Sequence, residues 1–98
     1  MKLGTSECIN LLTKLRPLAQ EVYQVKSMSL FGSTARGDQK EDSDVDILVE
    51  MPPKLILVSR FQELLEEKLG KQVDLIRRHS NLSPSFLEIV SRDEISIF

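Results

Sequence analysis

The sequence predicts one small α/β (α+β) domain, spanning residues 1–98, with the element order αβαβαβα and a mixed sheet of three or four strands flanked by helices. The chain of 98 residues contains 41% apolar and 29% charged residues, the size and composition of a single globular domain. Apolar residues recur at helical spacing in some segments and form short strand-like runs in others. Glycine and proline mark where these segments end.

The first segment, from Thr5 to about Gln24, has apolar residues at helical spacing. Pro17 interrupts this pattern because it lacks a backbone donor and disfavours helix at Arg16. We therefore expect a kinked helix or two short helices, with Thr5 or Ser6 as the N-terminal cap.

The next segment predicts a strand that leads into one helical turn. The range 25–31 alternates apolar and polar residues and then becomes apolar, and Gly32 ends it. The range 33–36 predicts a single turn of helix, capped by Ser33 and ended by Gly37.

The second half of the chain repeats the strand–helix order. A polar, acidic loop over 38–43 precedes a strand over 44–50, and two prolines follow that strand. The remaining elements are a helix over 55–69 ended by glycine, a short strand over 72–76, a helix over about 83–92 and a β-like tail over 94–98.

The turn after the first strand has the features of a phosphate-binding cradle. The first backbone N–H groups of a helix have no partner within the helix, so they can hold an anion. Gly32 lets the backbone approach a phosphate, and Ser33 adds a hydroxyl donor. The segment is not a P-loop, because Asp38 occupies the position where that motif requires lysine.

Two carboxylates follow the cradle at the start of the second strand. Asp44 and Asp46 are two residues apart, so their side chains share one face of the strand. Oxygen ligands of this kind suit Mg²⁺, which usually takes one or two carboxylates plus substrate phosphates. A calcium-binding EF-hand loop is excluded, because Ile47 and Pro53 stand where that loop needs glycine and glutamate.

A third carboxylate, Asp74, lies between apolar neighbours in the third strand. Gly32 ends one strand and Asp44 begins the next, so an antiparallel pair brings them together. Asp74 lies early in its strand, so it matches Asp44 if the third strand runs parallel to the second, with the helix over 55–69 as the crossover. A cradle with three carboxylates implies metal-assisted phosphoryl or nucleotidyl transfer, in which Asp74 either ligates a second metal or accepts the hydroxyl proton.

Composition excludes several other classes of protein. A net charge of −2 argues against binding nucleic acid through bulk electrostatics, and no apolar run approaches the length needed to cross a bilayer. The single cysteine, Cys8, cannot form an internal disulfide, which fits a reducing compartment. We therefore expect a cytoplasmic protein that binds neither membrane nor nucleic acid directly.

The run Leu-Phe-Gly-Ser-Thr-Ala-Arg-Gly at 30–37, followed by Ser-Asp-Val-Asp at 43–46, resembles the DNA polymerase β-type nucleotidyltransferase superfamily. The chain length, this run and Leu-Gly-Lys-Gln-Val-Asp-Leu at 69–75 resemble its minimal nucleotidyltransferase branch. The resemblance implies a polymerase β-like core in which Asp44, Asp46 and Asp74 are the catalytic and metal-binding residues. It further implies that the triphosphate is bound by three residues of the cradle, Gly32, Ser33 and Arg36, although Arg36 can instead brace the loop.

Family members of this size are typically antitoxins paired with a HEPN-domain RNase toxin. The resemblance implies an adenylyltransferase that uses ATP and Mg²⁺, with two ions expected, to transfer AMP to a tyrosine hydroxyl of the toxin and so silence it. One alternative is an antitoxin that acts by occlusion with a vestigial active site. Another is nucleotidyl transfer to a small molecule. Because so short a chain offers little to grip a base or an acceptor, we expect a second copy or a partner protein to complete the site.

Overall fold

A four-stranded sheet forms the centre of the structure, a computed structural model that describes residues 2–98. The elements in chain order are α1 (Thr5–Lys14), α2 (Arg16–Glu21), β1 (Ser27–Phe31), α3 (Gly32–Arg36), β2 (Val45–Glu50), α4 (Leu55–Leu69), β3 (Val73–Arg77), α5 (Pro84–Asp93) and β4 (Ile95–Ser96). The predicted α+β class and element order are confirmed, including the two short helices around Pro17 and the strand in the tail. Within residues 2–98, every helix is too short or too polar to cross a membrane.

The strands lie in the order β3-β2-β1-β4. β1 is antiparallel to both β2 and β4, whereas β2 and β3 are parallel and are joined by the crossover helix α4. These are the predicted strand directions. The predicted match of Asp74 with Asp44 is wrong by two residues, because the register places Asp74 opposite Asp46. The loop before β2 leaves Asp44 just outside the paired region, so the pairing begins at Val45 and Val73.

Two apolar cores lie on opposite faces of the sheet. The larger core packs the sheet against α1, α2 and α4, and its fully buried side chains include Leu12, Ala19, Met28, Leu30, Ile47, Phe61 and Leu65. The smaller core packs the other face against α5 and is built from Phe31, Leu48, Val90 and Phe86. Because side chains alternate along β2, Asp46 lies on the same face as Leu48, which α5 covers only in part. The sheet therefore presents its carboxylates on the less covered face.

The helix ends differ in part from the predictions. Gly4 occupies the N-cap position of α1 without a side-chain hydrogen bond, so neither Thr5 nor Ser6 caps the helix, and the Thr5 hydroxyl instead donates a 2.7 Å hydrogen bond to the Thr34 carbonyl of α3. Ser33 does not cap α3, because the helix begins one residue earlier, at Gly32, and Ser33 lies inside its first turn. The glycine stops are confirmed, since Gly37 and Gly70 end α3 and α4 in the left-handed conformation.

Candidate active site

Gly32 forms the junction between β1 and α3, and it lies against a carboxylate. Its φ of +74° is in the left-handed region that L-residues rarely adopt. A Cβ atom at this position would overlap Oδ2 of Asp46 and would lie only 3.0 Å from its Cγ. The absence of a side chain at Gly32 therefore lets the turn and the Asp46 carboxylate occupy adjacent space.

The three predicted carboxylates lie close together where the parallel strands β2 and β3 begin. Asp46 and Asp74 are register partners on the parallel strands β2 and β3, so their side chains leave the sheet on the same face. Burial raises the pKa of the Asp46 carboxyl, and the negative charges of Asp74 and Asp44 raise it further. The carboxylates therefore repel one another, and a cation bound between them would relieve that repulsion.

The donor set fits a hard divalent cation that shares its coordination with a substrate. All three side chains offer carboxylate oxygens, which Mg²⁺ prefers. Within residues 2–98, no group of three or more His, Cys, Asp and Glu side chains is arranged to enclose a metal by itself. Mg²⁺ does not need such a cage, since it usually binds one or two carboxylates and completes its shell with water and phosphate oxygens.

Arg36, predicted to contact the triphosphate, is held by two acidic residues. Its Nε lies 3.2 Å from Oδ2 of Asp38, and its Nη1 lies 2.9 Å from Oδ2 of Asp93 at the end of α5. These hydrogen bonds raise the pKa of the guanidinium. Its positive charge also opposes the rise in the Asp46 pKa. In this arrangement Arg36 connects α3 to α5, and contact with a phosphate stays a prediction.

A polar cleft of about 480 Å³ opens beside Asp44, lined by residues 41–44 and 70–72. The Lys71 ammonium donates a hydrogen bond to the backbone carbonyl of Glu41, which ties the acidic loop to the start of β3. The side chain of Gln39 is buried and donates a 2.7 Å hydrogen bond to the Leu3 carbonyl. The polar, acidic loop predicted over 38–43 thus contains one buried side chain and forms one wall of the cleft. The predicted pairing did not reveal this cleft, because it matched Asp74 with Asp44, whereas in the structure the Gln72 carbonyl accepts a hydrogen bond from the Val45 N–H.

The arrangement of a glycine turn against a carboxylate cluster at the edge of a mixed sheet is that of an enzyme that transfers phosphate-containing groups. Residues 12–97 match the nucleotidyltransferase domain, and the chain belongs to this family of nucleotidyltransferases. The match spans both the Gly32 turn and all three carboxylates.

Two curated relatives are similar to the chain over nearly its full length. The protein adenylyltransferase MntA of Thermococcus cleftensis is 36% identical over 97 residues, covering 97% of each chain. A proposed protein adenylyltransferase of Methanocaldococcus jannaschii, MJ1217, is 38% identical over 94 residues, covering 94% of this chain and 96% of the relative.

Solved structures share the fold. A protein proposed to be a minimal nucleotidyltransferase superposes with a TM-score of 0.75 and 31% identity, over 97% of this chain and 95% of the other. A complex of a tri-AMPylated Shewanella oneidensis HEPN toxin with an MNT antitoxin contains a chain of the same fold, with a TM-score of 0.67, 22% identity and coverage of 96% and 71%. The resemblance to the minimal nucleotidyltransferase branch is confirmed.

Proposed function

We propose that the chain is a Mg²⁺-dependent antitoxin that transfers AMP from ATP to a hydroxyl group, that of a tyrosine, on a HEPN-domain toxin and thereby silences the toxin. One observation carries this proposal. The Asp46 carboxylate lies directly against the backbone of Gly32, in the space that a side chain at Gly32 would fill. A triphosphate bound at the turn and a cation bound by Asp46 would therefore be in contact. We propose that residues 1–98 do this as a single domain.

The relatives support the choice of donor and acceptor. The Thermococcus relative is named a protein adenylyltransferase, which favours AMP as the transferred group and a protein as the acceptor. The Shewanella complex, which shares the fold with this chain, pairs an MNT antitoxin with a HEPN toxin that carries three AMP groups. We therefore assign a HEPN toxin as the partner of this chain.

In the proposed reaction the backbone at Gly32 and the hydroxyl of Ser33 bind the triphosphate, and Arg36 adds positive charge nearby. Asp44 and Asp46 would hold Mg²⁺, which neutralises phosphate charge and stabilises the leaving pyrophosphate. The acceptor oxygen forms a bond to the α-phosphorus, while the bond from that phosphorus to the pyrophosphate oxygen breaks. Asp74, opposite Asp46, either accepts the proton of the hydroxyl or binds a second ion.

Label transfer tests the proposal. The protein, its HEPN partner and Mg²⁺ are incubated with ATP labelled at either the α- or the γ-phosphate. We expect label on the partner only from α-labelled ATP, because AMP carries the α-phosphate. Asp46→Asn should lower the transfer rate at least about 100-fold, on the scale of losing a group that acts on the transition state. Glu88→Gln, an equal loss of charge on the exposed face of α5, is the control and should transfer normally.

Other results of the same experiment would indicate a different function for the chain. Label from γ-labelled ATP alone would indicate a kinase. An Asp46→Asn variant that still neutralises the toxin would indicate that the chain acts by occlusion, and label on a small molecule instead of the partner would place the acceptor outside proteins.

A further inference from the structure

Two large apolar side chains at the start of α4 lie in solvent. Leu55 is 81% exposed and Ile56 is 69% exposed, the highest values among the large apolar residues of residues 2–98. Leu55 is shared by two concavities, one of about 600 Å³ that also contains Ile56 and one of about 270 Å³ that reaches Val58 and Leu75 on β3. A continuous exposed apolar surface of this kind marks an interaction site more often than isolated apolar residues do.

Three basic side chains border this surface. Lys54 and Arg60 line the larger concavity, and Arg77 lines the smaller one. The ion pairs found within residues 2–98 all involve other basic residues. Lys54, Arg60 and Arg77 are thus basic residues that those ion pairs do not engage, although Glu63 and Glu67 lie near Arg60 and Glu50 lies near Arg77.

The start of α4 lacks the residues that usually stabilise the N-terminus of a helix. No side chain caps the first turn, Lys54 occupies the cap position, and the first turn contains no acidic residue. Carboxylates near a helix N-terminus are favourable because the unpaired N–H groups there carry partial positive charge. Negative charge supplied from outside the chain would satisfy both this helix end and the neighbouring basic side chains.

We propose that this surface, the α4 patch (Leu55, Ile56, Val58, Leu75, Lys54, Arg60 and Arg77), is the docking site of the HEPN partner, which presents apolar side chains surrounded by carboxylates. The identity of the partner rests on the proposed function. A second copy of this chain is disfavoured, because a symmetric pair would place basic residues against basic residues. A nucleic acid does not suit the apolar centre, since phosphates gain nothing from Leu55 and Ile56.

The α4 patch lies away from the carboxylates, so a protein bound there does not cover them. β3 carries both Asp74 and Arg77, which are about 10 Å apart along the strand at roughly 3.3 Å per residue. Leu75 and Asp74 point to opposite faces of the sheet. A protein bound to the α4 patch therefore contacts the face of the sheet opposite Asp46 and leaves the carboxylates open to the nucleotide, and the segment that carries the acceptor hydroxyl extends around β3 to reach them.

The test compares partner binding and AMP transfer in three variants of the full chain. Leu55→Glu/Ile56→Glu should weaken binding to the purified HEPN protein, measured by calorimetry, at least about 100-fold, the scale seen at interface hot spots. Arg77→Glu should weaken it about 10-fold, and added salt should weaken wild-type binding. Ile89→Glu, which alters an apolar residue that is 57% exposed on α5, is the control and should bind normally. Thermal unfolding verifies that each variant is folded.

The outcomes separate docking from catalysis. Equal binding by wild type and Leu55→Glu/Ile56→Glu overturns the docking site, as does AMP transfer to the HEPN protein without measurable complex formation. Wild-type binding that the patch substitutions abolish, with no AMP transfer, supports the docking site and refutes the proposed function. Absence of both binding and transfer in the wild type overturns both. Wild-type binding together with AMP transfer, both of which the patch variants lose while they still bind ATP, supports both.

Discussion

Replacing Gly32 with alanine tests whether the position of the Asp46 carboxylate depends on the absence of a side chain at Gly32. The substitution has two separable costs. The first is backbone strain, because a left-handed conformation costs an L-residue about 1–2 kcal/mol. For a domain of this size, that cost lowers Tm by about 4–8 °C per kcal/mol.

The second cost is steric and falls on the proposed metal ligand. Ordinary contact with a Cβ begins near 3.4 Å, whereas Cγ of Asp46 would lie at 3.0 Å and Oδ2 would overlap outright. The carboxylate must therefore move or rotate. A misplacement on the order of 1 Å can lower a catalysed rate about 100-fold, and we expect a loss of that size for AMP transfer.

Gly70→Ala is the matched control. Gly70 also has a left-handed backbone, with a φ of +67°, but nothing lies within 4 Å of a Cβ placed there. Thermal unfolding and AMP transfer are measured for both variants and for each in an Asp46→Ala background. Gly70→Ala should lose stability but keep its transfer rate, and most of the extra instability of Gly32→Ala should disappear in the Asp46→Ala background, where only the tight 3.3 Å contact with the Cβ of residue 46 is left. A Gly32→Ala protein with wild-type transfer, or a Gly70→Ala protein equally impaired, would refute the reasoning.

Three further predictions concern stability and reactivity. Without Mg²⁺, Asp46→Asn should raise Tm at neutral pH by about 1–8 °C, because like charges on paired strands cost about 0.2–1 kcal/mol. Since the pKa of Asp46 is raised in the folded state, the stability that protonation confers is lost as the pH rises through that pKa. The Tm difference between Asp46→Asn and the wild type should therefore shrink as the pH falls towards about 4. A difference that grows in acid would contradict the raised pKa of Asp46. The Cys8 thiol is buried, and its pKa is raised to about 11, mainly by burial and to a lesser extent by the negative charge of Glu7. A disulfide reagent at pH 8 should therefore modify this thiol only after urea unfolds the chain. Phe61→Ala should lower the free energy of unfolding, measured by urea titration, by about 3–5 kcal/mol, because this side chain is fully buried in the larger core. A loss below about 1 kcal/mol would show that Phe61 is not closely packed there.

The strand directions were predictable because they follow from where the polar residues lie along each strand. Gly32 at the end of one strand and Asp44 before the next required an antiparallel pair, and a 15-residue helix between β2 and β3 allowed only a crossover. The element bounds of α4 were predictable for a related reason, since two prolines precede the helix and a left-handed glycine follows it.

The details that depend on distant residues were not predictable. Arg36 and Asp93 are 57 positions apart, and no local pattern indicates that α5 ends beside α3. Thr5 or Ser6 was expected to cap α1, but the Thr5 hydroxyl donates to the Thr34 carbonyl, because the fold brings that carbonyl of α3 within reach. The register of β3 depends on where pairing starts, so alternation identified the face of Asp74 but not its partner.

The mass of the HEPN partner after incubation with this chain, ATP and Mg²⁺ tests the central claim most directly. We predict that intact-protein mass spectrometry finds the partner heavier by whole AMP units, that fragmentation places them on a tyrosine, and that Asp46→Asn leaves the mass unchanged. An unmodified partner whose RNase activity is nevertheless lost in complex with the wild-type chain would contradict the account and show that the carboxylate cluster is not used for transfer.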